Sequence, residues 1–125
     1  MIKWIISIVI IIASAIIVIA LPYKPNYTLS WDAPTTFTDG TLLPANHITG
    51  YRVYWSDVSG KYLDIDSKDV GNVLTAQTPA VMGRDPQGTF YYVITAHDAI
   101  GIESPFSNEV SRIYKKQSNS PGNLR

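Results

Sequence analysis

Ile48-Thr-Gly-Tyr-Arg-Val-Tyr-Trp55 and Phe90-Tyr-Tyr-Val-Ile-Thr-Ala-His97 decide the fold. Both are rich in aromatic and β-branched residues, and both run into turn chemistry: Ser59-Gly60 after the first, Asp98 to Gly101 after the second. In the first, Tyr51, Val53 and Trp55 recur at every second position, which places them on one face of a pleated strand and sends Arg52 and Tyr54 to the other. Working outward, Tyr27–Trp31 alternates up to Asp32-Ala-Pro34, Tyr62–Asp66 and Val73–Thr78 alternate more weakly, and Asn108–Tyr114 closes the set. No stretch of helical length between them keeps a helical period. Short strands punctuated by Gly, Pro, Asp and Asn predict an all-β, antiparallel sandwich over residues 26–114. Trp31, Tyr92, Ile94 and Ala96 are expected to meet Tyr51, Val53 and Trp55 in its core.

Residues 1–25 have a different texture. Sixteen of the eighteen residues Trp4–Leu21 are hydrophobic, nine of them isoleucine, and none is charged. As a helix this run spans roughly 27 Å, close to the hydrocarbon thickness of a bilayer. Trp4 and Tyr23 flank it as interfacial aromatics, with Lys3 and Lys24 just beyond. The segment therefore reads as an N-terminal hydrophobic helix, either an uncleaved membrane anchor or a signal peptide cut after Val18-Ile19-Ala20 or Ala13-Ser14-Ala15. Both readings place the domain outside the cytoplasm: membrane-anchored if the segment stays, secreted if it is removed. A third reading makes the run a β-strand donated to a neighbouring subunit's sheet.

Composition excludes several classes. The 125 residues contain no cysteine, which removes disulfide frameworks, thiolate metal sites and cysteine nucleophiles. Ten basic side chains balance ten acidic ones, giving no bulk attraction to nucleic acid. The balance is uneven along the chain, since all ten acids but only five bases lie within 26–114. The polar tail 115–125 holds Lys115, Lys116 and Arg125 and reads as disordered.

The strands also carry a family likeness. Leu29-Ser-Trp-Asp-Ala-Pro34, Asp39-Gly40 and Ile48–Trp55 resemble strands B and C of a fibronectin type III domain. Gly88–Asp98 with Gly101 and Glu103-Ser104 resembles its F strand and FG loop, and Ser107-Asn-Glu-Val110 the start of its G strand. The resemblance implies an immunoglobulin-like sandwich and places the family's tyrosine corner at Phe90 or Tyr91. It also exposes a shortage. Only Leu21–Asn26 separates the apolar run from strand B, so strand A is missing or rudimentary, and strand B is left with a bare edge that proline, a partner strand or another subunit's N-terminus must cover.

Little points to catalysis. His47 and His97 are the two histidines, and no nucleophile-elbow or zincin pattern is present. Asp64, Asp66 and Asp69 lack the ligand order of a calcium loop, so no metal and no cofactor is expected. A binding face is the better candidate. Arg52 and Tyr54 on one strand, with Tyr91, Val93, Thr95 and His97 on its neighbour, are expected to point outward together, and exposed tyrosines beside an arginine suit protein or glycan contact. The expected function is a non-enzymatic module for recognition, adhesion or scaffolding. The alternative is a structural subunit of a cell-envelope complex or filament, self-assembled through the N-terminus or the open edge.

Overall fold

The computed structural model describes residues 25–114, 121–123 and 125. The readings made for the apolar run and for most of the tail fall on residues outside these. Six strands follow one another: β1 Tyr27–Ser30, β2 Gly50–Ser56, β3 Ser67–Gly71, β4 Thr75–Thr78, β5 Gly88–His97 and β6 Val110–Tyr114. A single 3₁₀ turn, Ala80–Met82, lies between β4 and β5. No helix among the described residues is long and apolar enough to cross a membrane.

All pairings are antiparallel. β1 pairs with β4 in a two-stranded sheet, and a four-stranded sheet runs in the order β3-β2-β5-β6. β2 and β5 form the long central ladder, with Tyr51 opposite Ala96, Val53 opposite Ile94 and Trp55 opposite Tyr92. That register sets Tyr51, Val53 and Trp55 on the same face as Ala96, Ile94 and Tyr92. Leu29 from β1, Val53 and Trp55 from β2, Phe90 and Tyr92 from β5, Tyr114 from β6 and Val81 and Met82 from the 3₁₀ turn make one buried cluster. The core thus draws on both sheets. Trp31, expected in this core, is half-buried and packs against it, its ring 5.6 Å from that of Tyr51.

A polar knot sits inside this apolar core. Thr78 at the end of β4 is fully buried, and its hydroxyl lies 2.6 Å from the Tyr92 hydroxyl and 2.7 Å from that of Tyr114. The two tyrosines complete the triangle at 2.5 Å. Each buried hydroxyl finds partners, so the knot holds the small sheet to the large one without leaving unpaired polar groups. Burial drives the Tyr92 phenol far above its ordinary pKa. At the positions where the resemblance set a tyrosine corner, Phe90 is buried beneath the Arg84 guanidinium, whereas Tyr91 is only half-buried.

One reading of the sequence needs correction. Tyr62–Asp66 is not a strand but a turn, and the strand lies just beyond it at β3. Leu63 and Ile65, whose alternation suggested a strand, are exposed. The closing strand, expected from Asn108, begins at Val110, and residues 104–109 run along β5 without forming a strand. Ser104 and Ser107 each accept a backbone N–H of β5 through Oγ (from Ala96 and Ile94, both at 2.9 Å) while donating their own N–H to the carbonyls of those same residues. Two serines therefore satisfy the edge of β5 until β6 takes over at Val110.

Candidate functional site

The six residues expected to share an outward face do share one. Across the β2–β5 ladder, Arg52 stands opposite Thr95, Tyr54 opposite Val93, and Gly50 opposite His97, with Tyr91 at the far end opposite Ser56. The face is not open, however. Tyr54, Val93 and Thr95 are buried, and Arg52, Tyr91 and His97 are half-buried. The expectation of exposed tyrosines is corrected for Tyr54.

The cover comes from two segments that are distant in sequence. Phe106 sets its ring edgewise on Tyr54 at 5.2 Å and on Tyr62 at 5.5 Å. The turn carrying Tyr62 is held down by Glu109, whose carboxylate accepts from the Ser59 hydroxyl, the Gly60 backbone N–H and the Tyr62 hydroxyl. Those three donors hold the Glu109 carboxyl below the usual carboxylate range. On the same face the Thr95 hydroxyl is buried with no hydrogen-bond partner among the described residues.

Polar chemistry concentrates at one end of the face. Glu103 accepts from the Tyr54 hydroxyl at 2.5 Å and from Arg52 Nε at 3.1 Å, and Arg52 also donates to Ser67 Oγ at 3.0 Å. Burial first, and then the neighbouring Glu103, push the Tyr54 phenol up to about 12. One ladder step further, His97 Nε2 lies 3.0 Å from Asp69 Oδ2, an ion pair when the imidazole is protonated, although the approach is too oblique for a well-formed hydrogen bond. The Gly71 N–H and then His97 hold the Asp69 carboxyl below its ordinary value. Gly50 makes this possible, since a Cβ there would stand 2.6 Å from His97 Cε1 and Nε2.

The resulting cluster, Arg52, Asp69, His97 and Glu103, borders a shallow depression of about 240 Å³ with Thr49, Asp98 and Gly101. Its charges are mutually paired and partly solvated, an arrangement suited to hydrogen bonding a partner's surface. Among the described residues no group of three or more His, Cys, Asp or Glu side chains is placed to hold a metal ion. Asp69 and Glu103 were not singled out as part of this face; Asp69 joins it because β3 pairs with β2 and sets Asp69 opposite Arg52, and Glu103 joins it through the His97–Glu103 bridge beyond β5. No family model, no curated protein and no solved structure matches this chain.

Proposed function

We propose that this chain is a non-enzymatic fibronectin type III module, membrane-tethered or exported by its apolar N-terminal segment, that acts in protein or glycan recognition, adhesion or scaffolding. The sheet orders β1-β4 and β3-β2-β5-β6 agree with the B–E and C′–C–F–G layers of that family lacking strand A. The observation that carries the recognition reading is the end of the domain beside the polar cluster. Leu42, Ile100 and Ile102 are 83%, 81% and 63% exposed there, on two loops that line a common cleft. Large aliphatic side chains held out together on ordered loops favour a partner surface.

One observation favours the second reading, a self-assembling envelope subunit: among the described residues β1 pairs with β4 alone. A two-stranded sheet is marginal without further support, and an added strand at β1 would supply it.

The test is binding of the full-length chain, reconstituted in lipid vesicles, to immobilised panels of extracellular proteins and glycans. The reading predicts saturable binding to at least one target, weakened by Tyr91→Ala or by Ile100→Ser with the melting temperature unchanged. Absence of saturable binding, or binding indifferent to both substitutions, contradicts it. Ordered oligomers in sedimentation of the same vesicle-extracted chain favour the second reading.

A further inference from the structure

The cleft between the two exposed loops has a chemistry of its own. One wall is a short hairpin closed by the Thr36–Leu42 bridge, with Phe37 N–H donating to Thr41 O and Gly40 turning the chain at φ 85°. The other wall is the loop from Asp98 to Pro105, and Ile48 and Ala96 lie between them. The cavity measures about 370 Å³ and is lined mainly by apolar side chains, Phe37, Leu43 and Ile102 among them. That size and lining match pockets that accept a compact apolar group.

Beside the neutral Thr36, Thr38 and Ser104 and the imidazole of His47, the formally charged groups at the cleft are both acidic. Asp98 and Glu103 both line it. Glu103 is already engaged by Arg52 and Tyr54, whereas Asp98 commits only Oδ1, which accepts the N–H groups of Ile100 and Ile102 at 3.0 Å each. Asp98 Oδ2 makes no hydrogen bond and has His47 Nε2 at 4.0 Å, an ion pair only when the imidazole is protonated, and the His47 ring is held by an edgewise contact with Phe37 at 4.9 Å. The surrounding domain adds to the negative field, with ten acids against five bases over 26–114.

We infer that this cleft binds a segment of a partner protein, taking one apolar side chain into the cavity and setting an adjacent lysine or arginine against Asp98. The apolar walls select the inserted side chain, and the carboxylate oxygen left without a hydrogen bond selects the charge beside it. The inference rests on the recognition reading and gives that reading's partner a chemistry. Exposed Ile102, which lines the cleft, and exposed Leu42 and Ile100 on the two flanking loops are then the surface that the partner covers.

The probes are two blocked dipeptides, N-acetyl-Phe-Arg-amide and N-acetyl-Phe-Glu-amide, titrated onto methyl-labelled full-length chain in lipid nanodiscs. The arginine probe is expected to shift the Ile48, Ala96 and Ile102 methyl resonances saturably, with the glutamate probe binding more weakly. Asp98→Asn retains an oxygen for the two loop N–H groups but removes the charge, so it should weaken the arginine probe about two- to fivefold and leave the unliganded methyl spectrum in place. If the unliganded spectrum of Asp98→Asn changes, the preference between the two probes on the wild-type chain decides alone. Equal affinity for both probes, shifts confined to other methyls, or no saturable shift overturns the inference. The recognition reading has its own readout: saturable binding to the panel together with a silent cleft removes this inference and leaves that reading standing.

Discussion

At the scale of single residues, the pair Gly50 and His97 shows how backbone economy positions a polar side chain. They face one another across the β2–β5 ladder, and the missing side chain at Gly50 gives the imidazole room to lie over the strand and reach Asp69. The crowding is against the outer ring atoms of a side chain that is 16% exposed, so a Cβ there forces the imidazole to shift away from its place beside Asp69. Gly50→Ala is expected to lower stability by about 1–3 kcal/mol, read as a drop in the melting midpoint. The double variant Gly50→Ala/His97→Ala should recover most of the loss, because the two effects act through one contact. Gly50 was visible in the sequence only as a glycine inside a strand pattern. The contact that requires it joins positions 47 residues apart, and no local period encodes it.

The elements of the fold were legible where one face alone determines the pattern. Tyr51, Val53 and Trp55 alternate because they meet the core, and the register with Ala96, Ile94 and Tyr92 follows. The opposite face misled because its cover comes from elsewhere in the chain. Nothing near Tyr54 announces that Phe106 lies against it, or that Glu109 will pin the Tyr62 turn in place. Leu63 and Ile65 imitated a strand for the converse reason, since apolar alternation in a turn has the same appearance as alternation toward a core. The lid has a testable pH signature. Hydrogen bonds from Ser59, Tyr62 and Gly60 lower the Glu109 pKa from its ordinary value near 4.5. A carboxyl depressed by folding stabilises the native state at pH above its unfolded value, and that contribution disappears as pH falls through the folded value. Acid titration followed by Tyr62 fluorescence or near-ultraviolet dichroism should therefore show the turn loosening below pH 4.5. Glu109→Gln should loosen it already at neutral pH and flatten the acid dependence.

At the scale of the whole molecule, composition conceals a division of labour. The overall hydrophobic share of 46% averages an apolar N-terminal run with a β domain of ordinary content, and the neutral charge averages an acidic domain with basic ends. The domain's own order is held by one core shared between two sheets and by the Thr78, Tyr92 and Tyr114 hydroxyl knot. Strand alternation announced the sheets, whereas the knot was hidden, since a threonine and two tyrosines at positions 78, 92 and 114 carry no signal of mutual contact. The account's central claim is that this domain is presented outside the cytoplasm to meet a partner. The absence of cysteine makes that claim directly measurable. Lys61 is exposed on the turn after β2, so Lys61→Cys installs a single reactive thiol on the domain. A membrane-impermeant maleimide applied to intact cells producing this variant should label it on the cell surface or in the medium. Labelling that appears only after the cells are lysed would contradict the account.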